Sequence, residues 1–208
     1  MGRFARIAFT PAVKAVQEHM GSRKGYGRFD SAGDEPDALG KDEEAFLGEC
    51  DIFYMASVGA SGWPYVQHRG GPKGFVRVLD EQTLGFADYR GNRQYISVGN
   101  LSKDDRVALI FMDYPGRARL KVFAHASVVT EADSPETLAK LAVPGYEARI
   151  ERGFRLKVEG FDWNCPQHIS PRFTEDKVRA SVAPLLARIA ALEKENGELR
   201  APSGRAPR

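Results

Sequence analysis

Alternation of apolar and polar residues dominates the middle of the chain, and helical spacing dominates its two ends. The run DIFYMASV (51–58) is apolar, β-branched and aromatic, which predicts a buried strand. GASGW (59–63) marks a turn. PYVQHR (64–69) predicts a strand with proline at its first position, where no ladder hydrogen bond is lost. GGPKG (70–74) breaks the pattern. FVRVLD (75–80) and TLGFAD (83–88) flank Glu81-Gln82 and predict a hairpin. RVALIFMDY (106–114) and RLKVFAHASVVTE (119–131) predict two further strands joined by the turn PGRA, and GFRLKVEGFDW (153–163) predicts a last one.

Helical signals are shorter. TPAVKAVQEHMGS (10–22) opens with a capping threonine and a proline, and Val13, Val16 and Met20 share one face. KDEEAFLGE (41–49) carries an acidic cluster near its start, which suits the helix dipole. A short helix is expected over 92–101 after a Gly-Asn turn, and DSPE starts another over 133–141. Residues 23–40, rich in glycine, aspartate and serine, predict an exposed loop. Over 175–200 a helical repeat runs through Val178, Val182, Leu185, Leu186, Ile189 and Leu192, with Pro184 expected to kink it. Residues 185–199 fall short of three to four heptads, so this helix is expected to dock on its own subunit or on a dimer mate. The tail APSGRAPR predicts disorder.

Six or seven short strands with tight turns imply a mainly β fold, in which an antiparallel sheet curls into a small β-barrel with peripheral helices. The expected organisation is an N-terminal helix and loop (1–40), a barrel domain (41–173), a C-terminal helix (174–200) and a tail (201–208).

Charge narrows the function. Lys and Arg number 30 against 28 Asp and Glu, a net charge of +2. That balance argues against nucleic acid as the partner and leaves room for one local basic pocket that takes a small anion. No segment approaches the apolar length of a membrane span. The N-terminus does not read as a secretory signal, and two cysteines make no disulfide framework, so a cytoplasmic protein is expected.

Two segments put basic side chains beside glycines. One is Gln67-His68-Arg69-Gly70-Gly71-Pro72-Lys73-Gly74, at a strand end. The other is Tyr89-Arg90-Gly91-Asn92-Arg93-Gln94-Tyr95-Ile96-Ser97, at a strand-to-helix junction. Glycine lets backbone N–H groups approach a ligand, a helix start supplies free donors, and Arg93 offers a fork to phosphate oxygens. Read alone, each segment is equally a surface turn with solvated arginines. Neither matches a P-loop or a dinucleotide-binding glycine motif. Cys165-Pro166-Gln167-His168 lacks the further ligands a zinc site requires, so no metal is expected.

The run from Asp51 to Leu109 resembles the core of the pyridoxamine 5′-phosphate oxidase-like flavoproteins. The residues that carry the likeness are DIFYMASV, SGWPYV, the FVRVLDEQTLGFAD hairpin and RGNRQYISVGNLSKDDRVAL. FDWNCPQHISPRF (161–173) resembles the ending of a subgroup known broadly as flavin-nucleotide binding. The resemblance implies an FMN-binding split barrel of antiparallel Greek-key type, a homodimer with FMN at its interface. By position it implies that Gln67, His68 and Arg69 line the flavin, that Lys73 approaches its phosphate or ring, and that Asn92, Arg93 and Gln94 hold the phosphate with Ser97 close by. Trp163, Asn164, Gln167 and His168 would close over the partner's flavin. Many family members show Ser-Arg-Lys in the phosphate turn, whereas Asn92-Arg93-Gln94 here lacks one cation. The C-terminal arginine and histidine segment of the vitamin B6 oxidases is not found, which argues against a B6 substrate.

The leading expectation is an FMN-dependent oxidoreductase acting on a small organic substrate, with His68 and His168 as the candidate acid–base residues. The alternatives are a non-catalytic flavin-binding carrier or sensor, and a split barrel that takes a deazaflavin or haem.

Overall fold

The computed structural model of the protein describes residues 2–31, 33–163 and 166–200. The chain divides into two units, Met1–Asp113 with Arg117–Ile169, and Tyr114–Gly116 with Ser170–Arg208. The first unit holds helices α1 (Gly2–Ala8), α2 (Pro11–His19), α3 (Arg23–Tyr26), α4 (Lys41–Glu49), α5 (Ile96–Leu101) and α6 (Pro135–Leu141). Its strands are β1 (Ile52–Val58), β2 (Pro64–Gly70), β3 (Val76–Asp80), β4 (Thr83–Tyr89), β5 (Arg106–Asp113), β6 (Ala118–Val129) and β7 (Ile150–Trp163). The second unit carries helix α7 (Glu175–Arg200), which contains Pro184 and buries none of its side chains. The predicted tail, 201–208, lies outside the described residues.

The seven strands form one sheet in the order β2-β1-β5-β6-β7-β4-β3, with every neighbouring pair antiparallel. This is the curled antiparallel sheet with peripheral helices that the alternation predicts. Curling brings β2, at one edge, against β4 near the other, so that Arg69 of β2 meets Asp88 of β4.

The concave face is filled by aromatic rings. Phe53 sits at its centre, with ring centroids 5.7 Å from Phe75, 5.0 Å from Phe86 and 4.9 Å from Phe111. Phe86 in turn stacks on Phe154 at 4.9 Å. Met55, Leu84, Leu120, Val122 and Leu156 complete this core. Each fully buried side chain of this size contributes about 1.5–3 kcal/mol to burial.

Three local features depart from the sequence-based expectation. Residues 23–40 are not wholly loop, because Arg23–Tyr26 and Gly27–Phe29 make short helical turns. Helix α1 is an addition: its first amides are capped by Asp37, whose carboxylate accepts from Arg3 N at 3.3 Å and Phe4 N at 3.4 Å. It lies so close to β7 that a Cβ on Gly160 would fall 2.5 Å from Phe4 N, so only glycine fits there. The helix expected over 92–101 begins only at Ile96, and residues 92–95 form a non-helical turn.

Candidate functional site

Strand alternation decides which side chains of β2 turn inward. Tyr65, Gln67 and Arg69 are partly buried, while Val66, His68 and Gly70 face the other way and are exposed. The inward set, the end of β4 and the turn 91–97 enclose a cleft of about 310 Å³, at the lower end of the range for small-molecule sites.

Arg69 and Asp88 form the floor. Their side chains retain 10% and 14% exposure, and Nη1 donates to Oδ1 over 2.5 Å. Across the β4–β7 ladder Asp88 lies opposite Arg152, whose Nε is 3.4 Å from Oδ2. Burial pushes the Asp88 carboxyl up from its ordinary value, and the Arg69 and Arg152 guanidiniums oppose that shift. Burial likewise lowers the Arg69 pKa, countered by Asp88, and the guanidinium keeps its charge at neutral pH. The Arg69 guanidinium lies 5.0 Å from the centroid of Phe154 and 5.7 Å from that of Phe86, which ties the floor to the aromatic core.

The turn makes one wall. Asn92 Oδ1 accepts from Gln94 N at 3.2 Å, an Asx turn that shapes the backbone. Arg93 and Tyr95 both take left-handed conformations, with φ of 61° and 55°. Non-glycine residues there carry strain of about 1–3 kcal/mol each, and such strain collects at functional sites. Arg93 Nε donates to the Tyr95 hydroxyl at 3.0 Å, and that hydroxyl donates to Glu151 Oε2 at 3.3 Å. Glu151 also accepts from Arg152 Nη2 at 2.9 Å and lies 3.8 Å from Arg90. Ser97, buried at the start of α5, donates to Gln67 Oε1 at 2.7 Å and joins the turn to β2.

Counted together, Arg69, Arg90, Arg93 and Arg152 face only Asp88 and Glu151 in this network, a surplus of two positive charges. In and beside the cleft, Arg69 Nε, Arg152 Nε and the Tyr89 hydroxyl are buried with no hydrogen-bond partner among the described residues. A buried donor without a partner costs about 1–3 kcal/mol, which a polar ligand recovers.

Of the residues singled out from sequence, Gln67, Arg69, Asn92, Arg93, Gln94 and Ser97 line the cleft, and His68 borders it from the outward side of β2. The His68 ring packs edge-on against Tyr54 at 5.7 Å, on the outward face of β2. Lys73, Trp163, Gln167 and His168 do not line it. Lys73 pairs with Glu49 at 3.0 Å. Trp163 packs on Phe46 and donates to Glu43 at 2.7 Å. Gln167 and His168 are exposed. Asn164 and Cys165 lie outside the described residues. Cys50 is buried, and its thiol is pushed up to about 12, chiefly by burial, so it is no nucleophile. No cluster of three metal-ligating side chains occurs among the described residues, and no described helix is long and apolar enough to cross a membrane.

Asp88, Tyr95, Glu151 and Arg152 were not legible as site residues. The one available signal was the acidic end of the otherwise apolar strand TLGFAD, which requires a buried cation as partner.

The family model for pyridoxamine 5′-phosphate oxidase matches residues 39–159. No curated protein matches the chain. Among solved structures, HupZ of Group A Streptococcus is similar over 65% of this chain and 99% of its own, at 16% identity and a TM-score of 0.49. An FMN-binding protein from Syntrophomonas wolfei is similar over 71% and 97%, at 9% identity and 0.46. A Clostridium acetobutylicum protein related to general stress protein 26, of the pyridoxinephosphate oxidase family, is similar over 66% and 94%, at 14% identity and 0.44.

Proposed function

This chain belongs to the pyridoxamine 5′-phosphate oxidase family, and on that footing we propose that it binds FMN in the cleft between β2, β4 and the 91–97 turn. We further propose that it works as a homodimer, with FMN at the interface, and acts as an FMN-dependent oxidoreductase on a small organic substrate. The observation that carries the reading is the surplus of two positive charges beside the turn, which matches a phosphate dianion.

In this reading Arg93 and the amide and side-chain donors of Asn92 and Gln94 grip the phosphate. Arg93 is suited to it: its Nε is held by Tyr95, which leaves the two terminal nitrogens to form a fork. Ser97 orients Gln67 toward the ring, and the unpartnered Arg69 Nε donates to the ligand. Asp88 holds Arg69 in place and keeps its charge balanced on the protein side. Trp163 and Gln167 are assigned to the flavin held by the partner, and Lys73 takes no part. Bound FMN supplies two-electron chemistry at its ring, and the protein positions and tunes it.

One observation favours a second reading. Asp88 and Glu151 are both engaged in ion pairs, and the His68 ring faces Tyr54, so among the described residues no free acid–base pair stands in the cleft. A flavin-binding carrier or sensor without catalysis fits that arrangement. The spectrum and mass of the small molecule that copurifies test the binding proposal: FMN supports it, and a haem or a deazaflavin contradicts it. Reduction and reoxidation of the bound flavin by nicotinamide donors and oxygen then separate enzyme from carrier.

A further inference from the structure

Helix α7 carries a pattern that the cleft does not use. Val178, Leu185, Leu192 and Leu199 recur every seven residues, and Val182, Ile189 and Asn196 fall four residues after the first three of them. In heptad terms the first set occupies d and the second occupies a. The d positions are leucine after a first valine, and the a positions are β-branched apart from one asparagine. That combination favours two strands, and a single asparagine at a fixes a parallel register. These residues form an open stripe, with Leu185 62%, Ile189 51% and Leu199 78% exposed.

The flanking charges name the partner. Arg188 and Glu195 occupy g, while Glu193 and Arg200 occupy e. In a parallel pair each g residue meets the e residue five positions on in the other helix. Arg188 therefore meets Glu193 of a second copy, and Glu195 meets Arg200, opposite charges in both cases. Among the described residues none of these four has an ion-pair partner, whereas Lys194 and Glu198, at the outward f and c positions, pair within the helix at 3.9 Å. Pro184 falls at c, so its missing N–H lies on the outward side and leaves the seam apolar. An antiparallel pair with the same charge matches sets the Asn196 amide among leucine and isoleucine. The parallel one sets it against Asn196 of its mate, where the amides bond each other.

We propose that α7 pairs with α7 of a second copy of this chain as a parallel, in-register, two-stranded coiled coil. The proposal is independent of what fills the cleft. Its test uses the full-length protein with one added cysteine, either Leu185→Cys at d or Ala187→Cys at the outward f position. Registered d positions face each other within disulfide range, and f positions do not. Both sites are exposed, and circular dichroism checks that each variant keeps its helix. Under mild oxidation, non-reducing gels should show at least tenfold more disulfide-linked dimer for Leu185→Cys than for Ala187→Cys or the unmodified chain. Equal linkage of the two variants, whether high or low, overturns the proposal. The readout needs no flavin, so it stands or falls apart from the FMN proposal.

Discussion

Phe86 and Asp88 sit two residues apart on the same face of β4, yet they belong to different kinds of packing. Phe86 packs on the buried rings of Phe53, Phe75 and Phe154, and the Arg69 guanidinium reaches only the side of it that borders the cleft. Asp88 lies among Arg69 and Arg152, where the charges are imperfectly matched and a buried donor is left over. The core satisfies each local rule of burial and geometry. The cleft breaks several at once: two left-handed non-glycine residues, an unpartnered guanidinium nitrogen and a surplus of positive charge. Such concentrated departures are what a functional or strained part of a fold shows, and they agree with the proposal that the cleft holds a ligand.

That contrast can be broken by four substitutions at three positions. The largest effect should come from the core: Phe53→Ala removes the ring at its centre and should cost about 3–5 kcal/mol of stability in urea unfolding. The folded fraction should still bind FMN within about threefold of the parent affinity, because Phe53 does not line the cleft. A large loss of affinity would mean that core and cleft are one unit. Next, Asp88→Ala leaves Arg69 buried without its counter-charge and should cost about 3 kcal/mol. A loss below about 1 kcal/mol would show that solvent already relieves the pair.

Arg93→Ala should leave stability within about 0.5 kcal/mol, as expected of an exposed side chain. It should weaken FMN by at least tenfold, about 1.5–3 kcal/mol for a charge-assisted contact, as read by isothermal titration calorimetry. The smallest effect sharpens the comparison most. Arg93→Gly relieves the left-handed strain and should raise stability by up to about 1 kcal/mol while losing the same FMN affinity. A glycine variant less stable than the alanine one would show that the turn is not strained.

The sequence made the core more legible than the cleft, for a physical reason. A buried strand announces itself locally, as DIFYMASV and the FVRVLD–TLGFAD hairpin do, because the side-chain period is two wherever one face is covered. Helix α1 did not announce itself, since its cap, Asp37, arrives from more than thirty residues away. The 91–97 turn was visible through Gly91 and Arg93, which lie two residues apart in the chain. Its supports were not: Asp88, Glu151 and Arg152 meet only after β4 and β7 pair, and the strand pattern of the last strand starts at residue 153, just past two of them. His68 illustrates the same limit. Its neighbours Gln67 and Arg69 turn inward, and alternation sends its ring outward to Tyr54.

The most direct test compares riboflavin 5′-phosphate with riboflavin by fluorescence titration of the flavin-free protein, alongside Arg93→Ala. If the turn grips a phosphate dianion, the parent binds the phosphorylated form at least tenfold more tightly, and the arginine variant loses most of that preference. Equal binding of the two flavins by the parent would contradict the account.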